Sequence, residues 1–221
     1  MDRGTQPPWL AGLSLLSHDL RRPLTVIRGA ATLLVEAQER LPPSSRAQIL
    51  GLIDQSVEAM SEMIEDLSVV ARLEAGALEV ATAPLAVDDL LEGALESAAR
   101  SAPGARLAVA AAPGLEVDAD RELAIRALRA LLLQALERSD EPFVEVEPGD
   151  GLVWLRVRMP PGPLPEGRAE PGFEPLVPAG RDPGLALYMA RGLARVMGGD
   201  LVVSPGPDAD FLFSFTLNRR V

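Results

Sequence analysis

Hydrophobic positions in the first third of the chain recur at steps of three and four. Leu13, Leu16, Leu20, Leu24, Ile27, Ala31 and Leu34 form one such stripe and predict an amphipathic helix over residues 9–41. Pro42-Pro43 ends it, and Ser44 is placed to cap the next helix. That helix carries Ile49, Ile53, Val57, Met60, Ile64, Leu67 and Val70 and stops at Gly76. Two long amphipathic helices joined by a short loop make a helical hairpin. A lone hairpin leaves an apolar face uncovered, and pairing two hairpins covers it, so the pattern predicts a homodimer built on a four-helix bundle.

Beyond residue 76 the pattern changes. Residues 87–100 and 120–139 read as helices, and 106–111 and 115–117 as short strands. Residues 142–147 and 151–158 alternate apolar with polar around Pro148-Gly149-Asp150, which predicts a β-hairpin. Residues 159–183 are rich in proline and glycine and read as a lid or a disordered segment. A helix over 184–197 and strands over 201–203 and 211–217 close the chain. The expected fold is α+β, with helices on one face of a mixed sheet. The expected division is a helical domain over 1–76, a linker over 77–84 and a sandwich over 85–221.

Composition narrows the chemistry. At 221 residues and 48% hydrophobic, the chain is able to bury a substantial core. It contains no cysteine and one histidine, so disulfides, thiolate sites and histidine-rich metal clusters are excluded. The formal net charge of −11 repels phosphate backbones and argues against a nucleic-acid partner. Every basic residue is arginine, which reads as compositional bias. No basic patch followed by an apolar run opens the chain, and no apolar run approaches the ~20 residues of a membrane helix. The expectation is a soluble, cytoplasmic protein without membrane insertion.

The one histidine lies in Ser17-His18-Asp19-Leu20-Arg21-Arg22-Pro23-Leu24. His18 falls between Leu16 and Leu20 but off their line, which predicts a solvent-facing position. A neutral imidazole is a nucleophile, and an adjacent carboxylate such as Asp19 is able to hold the proton of its second nitrogen. Pro23 has no N–H for the carbonyl of Asp19, four residues back, so a bend is expected just below the histidine. Helical spacing puts positions 18, 22, 25 and 29 on one face. Arg22, Thr25 and Gly29 therefore flank the histidine as a docking surface, with Gly29 allowing close approach.

Residues 14–29 resemble the phosphoacceptor box of bacterial sensor histidine kinases, whose pattern is Ser-His-Glu/Asp-Leu-Arg-x-Pro-Leu. The resemblance implies that His18 is phosphorylated, that Asp19 assists as a base, and that the hairpin dimerises. It departs at Arg22, where the family usually has Thr or Asn to orient water for dephosphorylating its partner. Arginine has no acceptor to align a water. Residues 85–217 resemble the family's ATP-binding domain, the Bergerat fold, at Phe173-Glu174-Pro175, Gly184-Leu185 and Gly198-Gly199.

The chemical positions of that second domain depart from the family. The Asn helix reads Ala130-Leu131-Leu132-Leu133-Gln134-Ala135-Leu136-Glu137, with Gln134 at the metal-ligand position and an acid at the lysine position. The Asp-x-Gly-x-Gly segment reads Met159-Pro160-Pro161-Gly162-Pro163. The last glycine motif reads Asp182-Pro183-Gly184-Leu185-Ala186-Leu187 and keeps one glycine of three. A phosphate cradle needs free amides and positive potential, which this loop lacks. The implied function is a phosphoryl group carried on His18 and exchanged with response-regulator receiver domains, with no cofactor. Two alternatives stay open: a histidine kinase that autophosphorylates from weakly held Mg-ATP, and a non-catalytic pseudokinase scaffold.

Overall fold

The computed structural model describes residues 8–37, 40–102, 104, 106–111, 113–136, 142–159, 184–205 and 211–220. Their side chains are described too, except at 8–19, 22, 111, 159, 184, 205 and 211. The expected segment over 159–183 lies outside the described residues save for the backbone of Met159. The chain divides into two compact units, Met1–Val69 and Val70–Val221. Among the described residues no helix is long and apolar enough to cross a membrane.

The first unit is helical. Helix α1 runs over Pro8–Glu36 and contains Pro23, and helix α2 runs over Pro43–Glu74, its last turn lying in the second unit. Helix α2 starts one residue before the expected cap. Proline at the first helical position has a preset φ and no N–H to lose, so Pro43 opens the helix and Ser44 sits within it.

The buried stripes also differ from those read along the sequence. On α1, Pro23 and Ala30 are buried and Leu20, Ile27 and Leu34 half-buried, while Leu24 and Ala31 face outward. On α2, Ile49 and Ser56 are buried and Ile53, Met60, Met63 and Leu67 half-buried, while Val57 and Ile64 face outward. The inner positions include a proline, an alanine and a serine, which a search for large apolar residues passes over. Ser56 tolerates burial because its hydroxyl donates to the carbonyl of Leu52 at 2.7 Å.

The second unit is a sheet with helices on one side. In order it has β1 (Ala83–Ala86), α3 (Val87–Ser101), β2 (Ala108–Ala111), β3 (Glu116–Ala119), α4 (Arg121–Leu136), β4 (Phe143–Pro148), β5 (Leu152–Met159), α5 (Gly184–Val196), β6 (Asp200–Pro205) and β7 (Phe211–Asn218). Strands β2-β4-β5-β7-β6 form a five-stranded sheet, in which only β2 and β4 run parallel. Strands β1 and β3 form a separate antiparallel pair.

Alternation sets the layers. Val144, Val146, Val153, Leu155, Val157, Phe213, Phe215, Leu217 and Leu201 are buried, as are Leu90, Leu128, Leu131, Leu187 and Leu193 of the helices. On the other face, the Arg156 guanidinium lies over the Trp154 ring at 5.4 Å and pairs with Glu147. The β4–β5 turn closes with Gly149 N–H donating to the Leu152 carbonyl at 2.8 Å and Gly151 at φ 76°.

Two carboxylates fix helix ends. Asp200 at the start of β6 accepts from Arg191 and Arg195 of α5 at 3.0 and 3.1 Å. Partial burial raises its carboxyl, but the two arginine hydrogen bonds outweigh this and hold it below the usual carboxylate range. Asp120 caps α4: one oxygen accepts from the backbone N–H groups of Glu122 and Leu123 at 3.1 and 3.2 Å. Its other oxygen accepts from Ala81 N–H at 2.9 Å and ties the incoming segment to the helix. Asp120→Ala is expected to lower unfolding free energy by about 1–2 kcal/mol in urea titration. Asp120→Asn, which keeps an oxygen for the cap, should lose less.

Candidate functional site

The helical spacing of α1 sets out the site. His18, Asp19 and Arg22 lie on the backbone of α1, and their side chains lie outside the described ones. Thr25 is exposed, and its hydroxyl donates to the carbonyl of Arg21 at 2.7 Å. Gly29 is exposed, and a Cβ there would meet no atom within 4 Å. Thr25 and Gly29 line an open groove of about 380 Å³ together with Arg28, Thr32, Leu33 and Glu36. Positions 18, 22, 25, 29, 32 and 36 share one face of a helix of 3.6 residues per turn. The groove therefore lies, from Thr25 onward, on the helix face to which position 18 belongs. Thr32 and Glu36 were not picked out from sequence; their signal is spacing, seven and eleven residues after Thr25.

In the second unit, Gln134 is half-buried in the last turn of α4. Gly184 is the first residue of α5, with Leu185 half-buried after it. Glu137, 160–163, 173–175, Asp182 and Pro183 lie outside the described residues, as does the side chain of Met159. Among the described residues no group of His, Asp and Glu is placed to hold a metal ion.

Gly198-Gly199 has a structural explanation. Gly198 sits at φ 82° and donates to the carbonyl of Arg195 at 3.0 Å, while Gly199 donates to that of Ala194 at 2.9 Å. This is a left-handed glycine cap on α5. A Cβ on Gly199 would overlap the backbone carbonyl of Thr216, so a side chain is also excluded by close approach.

Two long helices precede a mixed sheet with three helices on one face, and this order defines a class. The chain resembles the core of bacterial two-component histidine kinases, in which a phosphoacceptor domain is joined to a domain of the ATPase fold. Residues 13–76 match the His Kinase A (phospho-acceptor) domain. The sensor protein KdpD of Mycobacterium tuberculosis is 28% identical over 88% of this chain and 24% of its own length. This chain therefore spans about a quarter of that relative.

Among solved structures, the histidine kinase AdeS of Acinetobacter baumannii superposes with a TM-score of 0.64 at 20% identity, covering 92% of this chain and 98% of that one. The histidine kinase ThkA, solved in complex with the response regulator TrrA, superposes with a TM-score of 0.62 at 17% identity, covering 94% and 61%.

Proposed function

We propose that this chain carries a phosphoryl group on His18 and exchanges it with aspartates of response-regulator receiver domains in the cytoplasm. The observation that carries this reading is the phosphoacceptor match over residues 13–76, which contains the only imidazole of the chain. One nitrogen of His18 attacks the phosphorus of an aspartyl phosphate. The N–P bond forms as the acyl O–P bond breaks, and the receiver aspartate leaves as a carboxylate. Asp19 holds the proton of the other nitrogen.

A homodimer supports this role, since both helices carry outward apolar residues, Leu24, Leu33 and Val35 on α1 and Leu50, Val57 and Ile64 on α2. The receiver docks on the face of Arg22, Thr25 and Gly29, along the groove of α1. A structural relative with a response regulator bound supports a partner of that class.

The ATPase-type unit is degenerate in this reading. Gln134, Glu137, Met159 and the single glycine at Gly184 replace the residues that would hold magnesium, phosphates and adenine. The second reading, autophosphorylation from Mg-ATP through a rebuilt pocket, is favoured by the intact His18-Asp19 pair. Two measurements separate them. Calorimetry with Mg-ATP is expected to show no micromolar binding. A phosphorylated receiver is expected to label the chain without ATP. Micromolar affinity together with labelling from ATP would replace the first reading by the second. Failure of both labelling routes would leave a scaffold.

A further inference from the structure

The last turn of α2 belongs to the sheet unit, which begins at Val70. Val70 is buried. Leu73 lies against Gly192 of α5, where a Cβ would stand 2.9 Å from the leucine Cδ1, so the glycine leaves a notch for it. One turn earlier on α5, the Tyr188 hydroxyl donates to the carboxylate of Glu74. Tyr188 and Gly192 are four apart and share a face, so two consecutive residues of α2 engage neighbouring points of α5.

Helix α2 ends immediately afterwards. Gly76, at φ 61°, donates to the Leu73 carbonyl at 3.0 Å, and Ala77 donates to that of Arg72 at 2.9 Å. The phenol of Tyr188 is pushed up to about 12, first by burial and then by the hydrogen bond and negative charge of Glu74.

We propose that the last turn of α2 is a lever seated on α5, in which Leu73 in the Gly192 notch and Glu74 on the Tyr188 hydroxyl make any shift of that turn a shift of α5. The displacement has a defined path. Arg191 and Arg195 bind α5 to Asp200 of the edge strand β6. Gly184, which stands in the last glycine motif, opens the same helix. The device concerns mechanical linkage alone, so its test needs no phosphoryl donor and stands apart from the phosphotransfer reading.

Tyr188 is the only tyrosine, so phenolate absorbance of the full chain reports this contact alone. The phenol should titrate near 12, and in Glu74→Ala it should fall toward the ordinary value of 10. The phenol is raised in the folded state, so the clamp is fully present below pH 10 and lost as pH rises through about 12. Hydrogen exchange gives the second readout. Tyr188→Phe and Leu73→Ala should each speed exchange of the α5 amides about three- to tenfold, with β4 and β5 unchanged. A phenol titrating near 10 in the unmodified chain would overturn the lever. So would α5 exchange that neither substitution moves, or that rises no more than in β4 and β5.

Discussion

Replacing His18 with alanine is expected to abolish acid-labile phosphorylation of this chain completely. The reason is chemical and local. Phosphoramidates hydrolyse in acid while phosphate esters of serine and threonine survive, and this chain has one imidazole to form the former. No second histidine is present to take over, so the expected residue of signal is zero rather than a fraction. The measurement is labelling by a phosphorylated receiver, followed by acid treatment. Acid-labile label retained in His18→Ala would place the acceptor elsewhere and remove the central premise. Asp19→Asn separates nucleophile from base. It keeps the acceptor nitrogen of His18 and removes the carboxylate, so labelling should persist but slow by about 10²–10⁴-fold.

The second large effect concerns assembly. Val57→Glu combined with Ile64→Glu is expected to convert the proposed dimer to monomer. These side chains are 49% and 58% exposed in one copy, and Leu50, seven residues before Val57, is 56% exposed. Exposed large apolar residues repeating at seven form a stripe that a second hairpin would cover. Each buried, unpaired carboxylate costs several kcal/mol, and two together should weaken association by about 10³-fold or more. Sedimentation at micromolar concentration, with helicity checked by circular dichroism, reads the outcome. An unchanged dimer with full helicity would move the interface off this stripe. Leu20 belongs to the inner, half-buried set, so a charge there tests the packing within the hairpin as well as its pairing.

Element type was legible where periodicity was long. Helices α2 to α5 and the β4–β5 hairpin stand within a few residues of their expected bounds, whereas α1, expected to run to residue 41, ends at Glu36. Strand β1 was not. Ala83 and Pro84 fall in the expected linker and Leu85-Ala86 just after it, because a four-residue strand carries too few positions to show alternation, and its pairing with β3 is a tertiary fact. Facing was harder than type. A stripe chosen by size takes Leu24 and Val57 over Pro23 and Ser56, whereas burial depends on angle around the helix.

The candidate site divides the same way. The phosphoacceptor box is contiguous and was readable at once, along with Thr25 and Gly29. Thr32 and Glu36 join the groove only through three turns of helix. The Leu73–Gly192 and Glu74–Tyr188 contacts join residues more than a hundred positions apart, and no spacing rule announces them.

The two stripes of α2 carry one more implication. Ile49, Ser56 and Met63 face inward, and Leu50, Val57 and Ile64 face outward, each set stepping by seven. A straight helix drifts by about 20° per heptad, so neighbours that follow these stripes wrap α2 in a left-handed supercoil. Register then becomes quantised. Adding or deleting seven residues returns every side chain to its own stripe. Adding three or four inserts a stammer or a stutter that over- or underwinds the coil locally.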